Sequence, residues 1–106
     1  MRKPDLRRHQ RILIPSGHTM AVHADSEAPE FEGTVTVIGL GGMFIRTRSS
    51  RPHGAVLRLT VEDPLARFEA QFTVRNVADT GLGLEITKIT PENEQRLRAL
   101  LLRLKA

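Results

Sequence analysis

TVTVIGLGGMFIR, residues 34–46, is the stretch on which the reading of this chain turns. Val35 and Val37 alternate with Thr34 and Thr36, which is the period of a strand. The alternation stops at Gly39-Leu40-Gly41-Gly42 and resumes as the apolar strand Met43-Phe44-Ile45. Three glycines within four residues mark backbone that either makes a bulge between two strands or must approach something closely.

Downstream, Leu57, Leu59 and Val61 alternate with Arg58, Thr60 and Glu62, and Asp63-Pro64 breaks the pattern. Phe68, Ala70, Phe72 and Val74 then alternate with Glu69, Gln71, Thr73 and Arg75, so each strand has a dry face and a wet one, as antiparallel sheets do. The slip at Arg75-Asn76-Val77 predicts a bulge, and Asp79-Thr80-Gly81 turns the chain into Leu82, Leu84 and Ile86. Arg48 to Gly54 is turn chemistry. Upstream, Ile12-Leu13-Ile14-Pro15 and the segment Thr19 to Ala24 read as one interrupted strand, and Phe31 leads into the central one. The pattern is mainly β, with about six short antiparallel strands whose edges a small barrel would remove.

The tail changes period. Thr90 is placed as an N-cap with Pro91 at the first helical position, Glu92 and Glu94 suit the positive end of a helix, and Arg103 and Lys105 the negative end. Leu97, Leu100, Leu101 and Leu104 fall on one stripe of a helix over about 91–105. Leu102 lies off that stripe, either simply exposed or as a small oligomer contact.

At 106 residues the chain holds one domain with one core, read as a basic arm over 1–11 and a barrel with its helix over 12–106. It has no cysteine, no apolar leader behind Met1 and no run of membrane-spanning length, so the expected place is the cytoplasm. The net charge of +4 is concentrated at the start, where Arg2, Lys3, Arg7, Arg8 and Arg11 face only Asp5. Such an arm either seeks an anion or is a solvated, mobile tail. No recognition helix carries the charge, and with no Trp or Tyr and four Phe the chain lacks the stacking surfaces of single-strand binders, so no DNA partner is expected.

Catalysis finds no purchase. No Gly-x-Ser-x-Gly elbow, Walker loop or complete dinucleotide fingerprint occurs, and His9, His18, His23 and His53 have no metal-ligand spacing. No enzyme, metal or cofactor is therefore expected. The arginine arm and the glycine turn are the candidate sites.

Together these two elements resemble the PilZ domain, the bacterial receptor module for cyclic di-GMP. Arg7-Arg8-His9-Gln10-Arg11 before Ile12-Leu13-Ile14 matches that family's Arg-x-x-x-Arg motif before its first strand. Val37-Ile38-Gly39-Leu40-Gly41-Gly42 aligns with the second motif, Asp/Asn-x-Ser-x-x-Gly, in a degenerate form. Thr80 to Ile86 is similar to the family's glycine-bearing last strand, and the terminal helix to the one that closes its barrel.

The resemblance implies a six-stranded antiparallel barrel with a C-terminal helix, and a flexible arm that folds over a nucleotide on the outer barrel surface. By it Arg7 and Arg11 would hold guanine and phosphate, Arg8 would add charge, and Gly39 and Gly42 would bring backbone to the ligand. A guanidinium suits these tasks because its planar fork takes a guanine edge or a phosphate bidentately. The family's acid or amide is Val37 here and its serine is Gly39, so two side-chain hydrogen bonds to the ligand are missing. Val37 reads either as that lost contact or as core beside Val35. The implied function is a monomeric or weakly dimeric cyclic di-GMP receptor that signals to a protein partner. The alternative is a module that has lost the nucleotide and works as a protein-interaction adaptor, without membrane contact.

Overall fold

Strands with one dry face must bury it against something, and here six of them bury it against each other. The computed structural model describes residues 11–15, 20–24, 31–64 and 66–105. Its strands are β1 (Ile12–Leu13), β2 (Ala21–Ala24), β3 (Glu32–Ile38), β4 (Gly42–Arg46), β5 (Val56–Asp63), β6 (Ala66–Ala78) and β7 (Gly81–Lys88), followed by the helix α1 (Pro91–Lys105). All pairings are antiparallel, and the order β2-β3-β4-β7-β6-β5 returns to β2, so the ring has no open edge.

β1 is the extra strand, and it clarifies the interrupted strand expected over Ile12 to Ala24. Ile12 and Leu13 pair with Ile38 and Val37, while Ala21 and Val22 pair with Thr34 and Gly33, so β1 and β2 lie end to end along one edge of β3. Ile14 N–H donates to Thr36 O at 2.9 Å, and Val35 N–H to Met20 O at 3.0 Å. Neighbouring residues of β3 are thus bonded by residues on either side of the 15–19 segment.

β6 faces β5 with its first half and β7 with its second, and turns the sheet between them. Register shifts at Gln71/Phe72 and Val74/Asn76 accompany this bend, the latter at the place where the alternation slips. Inside, Val22, Val35, Ile45, Leu59, Phe68 and Phe72 are each no more than 2% exposed. Burying a side chain of this kind stabilises by about 1.5–3 kcal/mol before ordering costs. Two threonines expected on wet faces, Thr60 and Thr73, are buried at 5% and 8%, and the Thr73 hydroxyl donates to that of Thr87 at 3.3 Å.

The helix follows its expected cap and stripe. Asn93 N–H donates to Thr90 Oγ1 at 3.2 Å, Leu97, Leu100 and Leu101 are buried, Leu104 packs against the core, and Leu102 is 68% exposed. Glu92–Arg96 and Glu94–Arg98 are i,i+4 pairs at 3.1 Å. Asn93 adds a contact that periodicity does not reveal, because its Oδ1 accepts the Glu69 N–H at 2.9 Å and pins the first helical turn to β6.

Candidate functional site

The candidate site is decided by one extra residue in β3. Val35 pairs with Ile45 but Val37 pairs with Phe44, so two residues of β3 advance against one of β4 and Thr36 is the bulge. Its hydroxyl donates to Phe44 O at 3.2 Å. In an unbroken strand Val35 and Val37 would share a face. Across the bulge Val35 and Ile38 point inward, each 1% exposed, while Val37 is half-buried and outside the core cluster. The core reading of Val37 is therefore corrected: it stands on the outer wall.

The glycine turn is a hairpin connection rather than a bulge. Ile38 pairs with Met43, and Gly39 N–H donates to Gly42 O at 2.9 Å. Gly39 itself is buried, and Leu40 packs on the core. Close approach explains Gly42: a Cβ there would collide with Leu84 O, because β4 is seated against β7 at that point. Ile86 N–H donates to Gly41 O at 2.9 Å and holds the turn to β7 from the other side. The barrel alone accounts for Gly42, before any ligand is considered.

Of the arm arginines, Arg7 and Arg8 lie outside the described residues. Arg11 is exposed and immediately precedes Ile12, whose partner is Ile38. Continuing that register sets Arg11 level with Gly39, at the mouth of the glycine turn. The strand pairing therefore brings together Arg11, Val37, Gly39 and Gly42.

Beyond them the outer wall continues as a row that sequence reasoning missed. Leu13 pairs with Val37, Val37 with Phe44, Phe44 with Gly83, and Gly83 with Asn76, which crosses five strands. Leu13 is 73% exposed, and Val37 and Phe44 are half-buried without belonging to the core. Next along β7, Glu85 pairs with Gly42 and its carboxylate accepts from Arg75 Nε at 2.5 Å. The surface is thus an apolar shelf with Arg11 at one end and an ion pair at the other.

An open groove of about 920 Å³ lies at the opposite end of β3 and β4, lined among others by Arg46, Arg48, Glu32 and Asp79. Its two guanidiniums are matched by two carboxylates, so it has no net pull on an anion.

Known proteins share both the fold and the order of these elements. The PilZ domain family matches residues 5–103. The chain belongs to the PilZ domain family. No curated protein sequence matches it. Among solved structures, the PilZ domain with c-di-GMP of YcgR from Escherichia coli superposes with a TM-score of 0.77 at 16% identity, covering 95% of this chain and 92% of that one. The K. pneumonia MrkH complex with c-di-GMP gives 0.79 at 15% identity, covering 96% and 52%, and the Bacillus subtilis inhibitor of motility MotI/DgrA gives 0.69 at 17%, covering 96% and 52%. This PilZ chain spans about half the length of those last two proteins. At such identities the likeness concerns the fold: a six-stranded closed barrel, one extra strand and a C-terminal helix. Among the described residues no helix is long and apolar enough to cross a membrane, and no three His, Asp or Glu side chains converge as metal ligands.

Proposed function

We propose that this PilZ domain is a cyclic di-GMP receptor without enzymatic activity, in which Arg7, Arg8 and Arg11 clamp the nucleotide against the outer wall beside Gly39 and Gly42. The observation that carries this reading is the register that sets exposed Arg11 level with the glycine turn, at the spacing of the family's two motifs. A guanidinium there offers a bidentate fork to a guanine edge or a phosphate. Ordering of the arm over the ligand then passes the signal to a protein partner in the cytoplasm. Val37 and Gly39 supply no side-chain hydrogen bond. At about 1–3 kcal/mol for each missing bond, affinity falls on the order of a hundredfold below that of a complete motif.

The experiment is a calorimetric titration of cyclic di-GMP into the protein and into an Arg7→Ala/Arg11→Ala variant at near-physiological salt. Saturable binding abolished by the variant supports the receptor reading; absence of heat up to high micromolar ligand rejects it.

A second reading is favoured by one observation, the apolar pair of Leu13, 73% exposed, and Val37 on the same wall. In it the module has given up the nucleotide and takes a protein partner on that face. Co-purification that recovers no partner above background, or that is indifferent to Leu13→Ser, counts against it.

A further inference from the structure

Aromatic rings are scarce in this protein, and where they stand is informative. The chain has four Phe and no Trp or Tyr. Phe31, Phe68 and Phe72 are at most 1% exposed and fill the barrel. Phe44 alone of the four is half-buried and outside the core, on the outer row next to Val37.

Its ring is only partly covered. Its cross-strand partner on β7 is Gly83, and a Cβ added there would lie 3.7 Å from Phe44 Cδ2 and 2.9 Å from Asn76 Cβ. One side of the ring therefore rests beside bare backbone. A glycine covered by a neighbouring aromatic is a known way to stabilise a sheet, and it accounts for that inner contact. It does not account for the exposed remainder of the ring, which lies in line with Leu13 and Val37 on the wall that Arg11 overlooks.

Glu85 follows Gly83 by two residues and so projects on the same face of β7, roughly 7 Å further along at the rise of an extended strand. A carboxylate is an acceptor only, with room for donors beside the Arg75 bond, and Arg75 balances its charge. Guanine presents two adjacent N–H donors, N1 and the exocyclic amine, that match a carboxylate, whereas adenine sets its single amine beside an acceptor nitrogen. A base lying flat on Phe44 spans about the distance to that carboxylate.

We propose that Phe44 is a stacking platform for a purine base, and that Glu85, steadied by Arg75, accepts hydrogen bonds from the base edge. The proposal rests on the nucleotide-receptor reading above and extends it. Stacking and the Glu85 contact take over binding that Val37 and Gly39 do not provide. Every base has a π-face, so the platform supplies affinity, and the carboxylate supplies the preference for guanine.

The test is titration of cyclic di-GMP and cyclic di-AMP into the full chain and into Phe44→Leu, Phe44→Trp and Glu85→Gln, with thermal melts of each. The expected result is that Phe44→Leu, which keeps apolar packing on Gly83, weakens cyclic di-GMP binding roughly five- to a hundredfold with little change in melting midpoint. In a chain with no other Trp or Tyr, Phe44→Trp binds and its indole emission is quenched at saturation. Glu85→Gln narrows the preference for cyclic di-GMP over cyclic di-AMP. If Phe44→Leu melts too low to assay, the indole signal decides. If the unaltered protein binds but emission and affinity ignore position 44, stacking is overturned and the receptor reading survives; unchanged discrimination in Glu85→Gln overturns that residue's role. If the unaltered protein binds no nucleotide, both readings fall.

Discussion

The two faces of the β3–β4–β7 wall are made by the same strands and obey different rules. Inward, Val35, Ile38, Met43, Ile45, Leu82 and Leu84 are no more than 6% exposed and fill a single core. Outward, Leu13, Val37 and Phe44 are as apolar as the inner set yet lie outside the core, and Asn76 and Phe44 close over Gly83 beside them. Folding explains the first group fully. The second group is not required by the core. An apolar cluster on an outer face with no core to fill is where binding is to be sought.

Substitutions on the two faces should therefore separate stability from binding. The largest effect belongs to the inside. Phe72→Ala, at a fully buried ring, is expected to cost about 3–5 kcal/mol in urea unfolding, enough to unfold a marginal domain of this size. Gly42→Ala stands between the faces, because its Cβ would collide with Leu84 O. It should cost about 1–3 kcal/mol, and a melting midpoint unchanged within a degree would refute the close-approach account of that glycine. Smallest in stability and opposite in sign for binding is Val37→Asp. On the outer wall it should change unfolding by only about 0.5 kcal/mol while restoring an acceptor, raising cyclic di-GMP affinity roughly tenfold in calorimetry. A destabilisation of several kcal/mol by that substitution would mean that Val37 is core after all and would erase the contrast.

Much of the architecture is legible in the spacing of residues, because period is a strong signal where apolar and polar side chains alternate. β5, β6, the Val74/Asn76 bulge and the capped helix all follow from it. The outer wall does not, and the reason is local. Thr-Val-Thr-Val-Ile alternates so cleanly that nothing in it marks Thr36 as extra, and Met43-Phe44-Ile45 is apolar throughout, so it does not say which residue faces out. Asn93 is hidden for another reason: its partner, the Glu69 amide, is far away in the chain. Within the candidate site, Arg11 and the glycine turn can be paired by motif order, whereas Phe44, Gly83 and Glu85 become neighbours only when β7 is laid against β4.

β1 carries a mechanical consequence. It is joined to β3 by the pairing of Ile12 and Leu13 and by the Ile14 amide, while the ring of six strands closes without it. Local segments open at free energies anywhere from near zero up to that of the whole domain, and short peripheral strands lie toward the low end. Even with Ile12 and Ile14 packed on the core, β1 is expected to open at a lower free energy than the closed ring, a latch on a barrel that stays shut. On the receptor reading, a ligand held by Arg11 should slow that opening, and the Ile14 amide is the proton whose exchange rate would report it.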